Sequence, residues 1–157
     1  KENIEAYIKR SESKKLFEEL LQKGAFIEIE NAKNYEDVLK EMVKVFNKNS
    51  SVDDKYLDSV INREKLSTTN INNIAIPHGK ASHVLESSIC IAYIKDGVKW
   101  GDTTVYHVFL IAFDNGLLEQ NPEFFNNFYR KIAQIDSEES IENMEAIDKN
   151  KLIELMY

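Results

Sequence analysis

Cysteine is nearly absent from this chain. Cys90 stands alone among 157 residues, so neither a disulfide framework nor a four-thiolate zinc site can be built. It sits in the apolar run Ile89-Cys90-Ile91-Ala92, which reads as a buried spectator thiol. The five glycines, at 24, 79, 97, 101 and 116, are scattered, and none opens a Gly-rich phosphate loop. A nucleotide-dependent kinase is therefore not indicated, and no nucleophile-elbow motif points to a serine hydrolase. The three histidines lack the i, i+4 spacing of a helical zinc pair, and no acidic loop has calcium-ligand periodicity, so no metal or cofactor is expected. No run approaches the ~18 to 20 apolar residues of a membrane span. No signal-peptide pattern opens the chain either, so it reads as cytoplasmic and without membrane insertion. Basic residues are in deficit: 20 Lys and Arg against 27 Asp and Glu leave a net charge of −7, the wrong sign for direct nucleic-acid binding.

What is present suits one globular core, with 43% apolar and 10% aromatic residues. Leu16, Phe17, Leu20 and Leu21 share a helical face that Gly24 stops. Residues 1–13 read as a leader or interdomain linker, with a short helix broken near Ser11 and Ser13 as one form, and residues 14–157 as the domain proper. Ala25 to Glu30 alternates as a short strand does. Asn34 reads as the N-cap of an amphipathic helix carrying Tyr35, Val38, Leu39, Met42, Val43 and Phe46. A second helix is predicted from about Val52-Asp53 to Leu66, with Tyr56, Leu57, Val60 and Ile61 inward. Three apolar stretches, Ile74–Ile76, Ser88–Ile94 and Val105–Phe113, read as central strands, with a hairpin turn at Asp96-Gly97. Helices follow at Phe124–Ile135, 138–145 and 149–156. The order predicts an α/β fold, a small mixed β-sheet flanked by helices.

His78 has the most unusual setting among the histidines. It follows Pro77 at a strand end and precedes Gly79, so a stiff support presents the ring where a ligand can approach closely. A structural turn histidine is the alternative. His83 reads as an ordinary surface residue. His107 shares a predicted strand face with Val105, Phe109 and Ile111 and reads as a core or edge histidine, or as an auxiliary group if the fold brings it to His78.

The string Asn73 to Gly79, NIAIPHG, resembles the active-site signature of mannitol/fructose-type enzyme IIA domains of the bacterial sugar phosphotransferase system. Asn62-Arg63-Glu64 with Ser67-Thr68-Thr69 upstream, and Val108 to Ala112 downstream, extend the likeness over roughly 14–157. For the segment Ala25 to Glu30, the same comparison favours a linker or helix entry. The resemblance implies a phosphoryl acceptor at His78, supplied by the phosphocarrier HPr or a related carrier and discharged to a cysteine of an enzyme IIB domain. It implies phosphate-stabilising roles for Arg63 and Thr69; a surface helix-end cation is the other reading of Arg63. Where the family pattern often has glycines, this chain has Asn70, Asn72 and Asn73. Where many transport members carry a second histidine, residues 114–121 hold none. That departure resembles the C-terminal modules of transcription activators and antiterminators, in which phosphorylation reports sugar flux and other domains of the same polypeptide are the partners. A transport phosphocarrier and a protein-interaction module with a silent His78 are the alternatives.

Overall fold

Helix α1 (Ile4–Lys23) is capped by the Asn3 side chain, which accepts the Ala6 N–H at 2.8 Å. The computed structural model describes residues 3–138 and 149–157. Helix α1 runs unbroken through Ser11 and Ser13, because serine costs a helix only a few tenths of a kcal/mol. Its first half is exposed, including Ile4, Tyr7 and Ile8, and only Phe17, Leu20 and Leu21 are buried. Strand β1 (Ala25–Ile29) follows, so the local alternation was the better guide than the linker or helix entry implied by the resemblance.

Helix α2 (Tyr35–Lys48) starts at Asn34, whose Oδ1 accepts the Asp37 N–H at 2.9 Å, and it buries five of the six predicted apolar residues, Tyr35 at its first turn being only partly covered. Helix α3 (Tyr56–Leu66) begins later than expected, because Asp53 takes the Lys55 N–H in a turn that precedes it. Strands β2 (Asn70–Ile71) and β3 (Ile74–Ala75) form a tight hairpin turned at Asn72, which lies in the left-handed region at φ 51°.

Strand β4 (Ser88–Trp100) continues past the expected Asp96-Gly97 turn, and β5 (Thr103–Ala112) pairs back from Gly101-Asp102. Both Gly97 and Gly101 have positive φ, so either position had the right chemistry. The residues decide it: Val98 and Trp100 are buried and prolong the strand, and Gly97 is left in a bulge where 94–97 oppose Tyr106. Helix α4 (Asn115–Gln120), which the sequence did not announce, is capped by the Asp114 side chain. Helices α5 (Phe124–Glu138) and α6 (Lys149–Met156) complete the chain. The predicted helix at 138–145 falls almost wholly outside the described residues.

The five strands form one mixed sheet, ordered β1-β4-β5-β3-β2, with β1/β4 and β3/β5 parallel and the other pairs antiparallel. One face packs Cys90, Ala92, Val108 and Leu110 under α2 and α3. The other packs Ile89, Ile91, Phe109 and Ile111 under α1, α5 and α6. The sheet is thus covered on both sides, which is why its central strands are continuously apolar. Cys90 is fully buried and its thiol is pushed up to about 12 by that burial, as an unreactive core residue requires.

Candidate functional site

The segment after β3 is fixed from several sides. His78 bridges in parallel to Ile111, whose N–H donates to the Pro77 carbonyl at 3.2 Å. Tyr56, buried in α3, donates its hydroxyl to the Ile111 carbonyl at 2.7 Å and accepts the Gly79 N–H at 3.3 Å. Burial pushes the Tyr56 hydroxyl well up, so it stays a donor at any physiological pH. Ser59 accepts the Lys80 N–H at 3.1 Å. At Gly79 a Cβ would stand 2.4 Å from Ser59 Oγ and 2.8 Å from the Tyr56 ring. Gly79→Ala is therefore expected to cost about 1–3 kcal/mol in urea unfolding, because the packed tyrosine cannot yield.

The His78 ring is half-buried and meets the edge of Phe125 from α5, ring centroids 5.7 Å apart. Its Nδ1 lies 3.3 Å from the Ile76 carbonyl oxygen. A carbonyl only accepts, so Nδ1 carries the proton and Nε2 keeps its lone pair. Burial lowers the pKa of the ring below its ordinary value. The charge of Arg63 acts in the same direction, while the Ile76 hydrogen bond and Glu64 oppose without cancelling. The imidazole is therefore neutral near pH 7.

His78 and Arg63 line one cavity of about 540 Å³ with Lys55, Asp58, Lys80 and His83. The basic groups there outnumber the single carboxylate, a local inversion of the chain's net charge that suits a phosphate. Arg63 Nη1 donates to the Ser67 carbonyl at 2.7 Å, which orients the guanidinium at the end of α3. A larger hollow of about 660 Å³ beside β1 and α2 is lined by Glu28, Glu30, Asp37 and Glu41 with Lys40 and Lys44, an unsuitable setting for an anion.

Thr69 does not line the His78 cavity. Its hydroxyl donates to Glu64 Oε1 at 2.5 Å and accepts the Ile76 N–H at 3.2 Å, so its hydrogen bonds are already used inside the protein. Glu64, which sequence reasoning placed only in the Arg-Glu-Thr motif, is 1% exposed. Its Oε2 also accepts the Thr69 N–H and the Trp100 indole N–H, each at 2.9 Å. A run of hydrogen bonds thus leads from Glu64 through Thr69 to Ile76, the residue whose carbonyl orients His78. A glutamate on the inward side of a helix end was the available signal.

Of the other two histidines, His107 takes the core place expected of it, and His83 leaves the surface place expected of it. His107 is 1% exposed, lies tilted against Tyr93 with ring centroids 5.2 Å apart and finds no hydrogen-bond partner for either nitrogen among the described residues. It lies four residues before Ile111 on β5, about 13 Å along the strand from the His78 bridge, and does not line the cavity, so it is not an auxiliary group there. The Tyr106 and His107 N–H groups both donate to the Asn73 carbonyl, a bulge that resets the alternation and puts Val105 on the α2/α3 face. His83, expected on the surface, is half-buried and belongs to the cavity.

Burial pushes His107 down to about 4. The unfolded imidazole titrates near 6.5, so between those values the unfolded chain binds a proton that the folded chain refuses. Stability is expected to fall by roughly 3 kcal/mol as pH is lowered from about 6.5 to 4, and to be unaffected by this group above that window. Denaturant unfolding across this range should show a flatter pH dependence for His107→Leu.

A family model described as phosphoenolpyruvate-dependent sugar phosphotransferase system, EIIA 2, matches residues 18–157. The transcriptional regulator ManR of Bacillus subtilis (strain 168) is 44% identical over 62 residues, which make up 39% of this chain and 10% of the regulator. The mannitol-specific phosphotransferase enzyme IIA component of Geobacillus stearothermophilus is 31% identical over 134 residues, 83% of this chain and 87% of that protein. The fold is shared with the Escherichia coli complex of enzyme IIAMtl and phosphorylated enzyme IIBMtl. The TM-score is 0.63 at 22% identity, covering 84% of this chain and 98% of that chain.

Proposed function

Because the chain belongs to the EIIA 2 family of the phosphoenolpyruvate-dependent sugar phosphotransferase system, we propose that it accepts a phosphoryl group on His78 Nε2 as the regulatory module of a transcriptional regulator. The observation that carries this reading is the His78 ring, neutral and with Nδ1 tied to Ile76, in a cavity lined by Arg63, Lys55 and Lys80. The Nε2 lone pair forms the bond to phosphorus as the bond from phosphorus to the donor's nitrogen breaks, its electron pair leaving with the donor. The proton stays on Nδ1, donated as a hydrogen bond to the Ile76 carbonyl, and that contact supports the positive charge the ring acquires. Arg63 offers its planar donors to the phosphoryl oxygens.

The likeness to ManR and the lack of histidine in residues 114–121 favour regulation. The likeness to the mannitol-specific component favours the second reading, a transport phosphocarrier that passes the group to an enzyme IIB cysteine. The exposed first half of α1 suits residues 1–13 as a connection to other domains of the same polypeptide. In either reading the domain works in the cytoplasm.

The test is incubation with phosphoenolpyruvate, enzyme I and HPr, followed by mass mapping of the phosphorylated residue. A phosphoryl group on His78 is the expected result. Either no uptake or uptake on another residue overturns the reading, and no uptake leaves a protein-interaction module. Adding an enzyme IIB domain separates the two phosphorylated readings, since a transport carrier discharges to its cysteine and a regulatory module retains the group.

A further inference from the structure

We propose that His83, oriented by Asp53, is the second imidazole of the phosphoryl site and donates a hydrogen bond from Nε2 to the group carried by His78. The inference rests on the reading of His78 as acceptor. Asp53 and His83 are brought together by the Val52–Val84 bridge, and the Asp53 N–H donates to the His83 carbonyl at 2.9 Å. The Asp53 carboxylate is used at both oxygens: Oδ1 accepts the Lys55 N–H and Oδ2 the His83 Nδ1–H, each at 2.9 Å. Burial works against this carboxylate, but the bonds from His83 and Lys55 and their charges outweigh it and hold the carboxyl below its ordinary value.

Asp53 therefore accepts the hydrogen bond from Nδ1–H, and Nε2 is the nitrogen left for the cavity that His83 shares with His78. His78 and His83 are built alike, each with Nδ1 committed to an oxygen of the protein. Their partners set their roles apart. A neutral carbonyl behind His78 leaves a nucleophile, while His83 would stand between two anionic acceptors, the Asp53 carboxylate at Nδ1 and the phosphoryl group at Nε2, and in that complex it donates an N–H to each. His83 exchanges no electrons in the transfer; it contributes an N–H to an oxygen on phosphorus. Arg63, Lys55 and Lys80 face the same space, and Asp58 is the carboxylate opposing them.

Two amide substitutions separate a cavity role from a structural one, because an asparagine amide reaches the place of Nδ1 and a glutamine amide the place of Nε2. His83→Asn keeps the bond to Asp53 and loses the cavity donor; His83→Gln does the reverse. In phosphorylation by phosphorylated HPr, His83→Asn is expected to lower kcat about tenfold or more at nearly constant KM, with His83→Gln within about threefold of the parent chain. Equal rates for His83→Asn and the parent overturn the proposal, as does a loss in His83→Gln that His83→Asn restores. Titration of the same proteins with inorganic phosphate, followed through the imidazole Cε1–H resonances, needs no donor protein. About tenfold weaker binding in His83→Asn alone supports the contact, and equal binding in all three overturns it. Failure of the parent chain to take up label on His78 sinks the acceptor reading, and the phosphate titration still decides His83.

Discussion

His78→Ala is expected to take up no phosphoryl label above background from phosphorylated HPr, with its far-UV circular dichroism unchanged. The chemistry needs an electron pair on a nitrogen at this position, and the other imidazole of the cavity, His83, has an anionic carboxylate, Asp53, at its Nδ1 where His78 has a neutral carbonyl. Arg63, Lys55 and Lys80 are cationic donors, and the Ser59 hydroxyl already donates to the Tyr56 carbonyl at 2.7 Å. His78→Gln is expected to be equally inert, since an amide placed near Nε2 has no comparable nucleophile. The fold should survive either change, because the ring is half-buried and makes one hydrogen bond, at 3.3 Å. Burial and Arg63 lower the pKa of His78, so the neutral form remains the major one at pH 6.5, where a free histidine is half protonated. Uptake is accordingly expected to hold between pH 7 and about 6.5 and to fall only at lower pH. Parent-level labelling of His78→Ala would transfer the acceptor role elsewhere, with His83 the first residue to map.

Glu64→Ala is expected to lower unfolding stability by about 3–5 kcal/mol, with labelling slowed in whatever protein remains folded. The substitution strands the Thr69 N–H, the Thr69 hydroxyl and the Trp100 indole N–H, all donated to this carboxylate. Each buried donor left without an acceptor costs about 1–3 kcal/mol, less than additively when neighbours relax together. Against a typical total of about 5–15 kcal/mol this is a large fraction, and at this chain length it corresponds to a thermal midpoint roughly 10 °C lower. Glu64→Gln keeps one acceptor oxygen, and the Thr69 hydroxyl can rotate to accept from the new amide, so a smaller loss of about 1–2 kcal/mol is expected. The labelling defect follows from Ile76. Its N–H rests on Thr69, its carbonyl orients His78, and loosening the first disturbs the second. A Glu64→Ala loss within about 1 kcal/mol in urea titration would show that the three donors find other partners.

The elements most legible in sequence were those with a strong local period. The five inward residues of α2 and its Asn34 cap, and the alternation of Ala25 to Ile29, needed no partner to be recognised. Short or ambiguous chemistry was harder. Asp96-Gly97 has the composition of a hairpin turn, yet burial of Val98 and Trp100 moved the turn to Gly101-Asp102. Helix α4 has too few turns to show a period. Among the site residues, His78 was marked by the adjacent Pro77 and Gly79, and Arg63 by its motif. Thr69 was placed in the right segment, but the Glu64 carboxylate, five residues away, turned its hydroxyl inward.

By itself the sequence determined where an imidazole stands at a strand end and which face of α2 is apolar, because both follow from neighbours within a few residues. Only the tertiary structure decided which histidines share a cavity. Sheet register carried His107 into the core and away from the acceptor, whereas the bridge between Val52 and Val84 set His83 beside Asp53, thirty residues apart in the chain. Contacts across such separations depend on how the layers pack, and no local pattern encodes them.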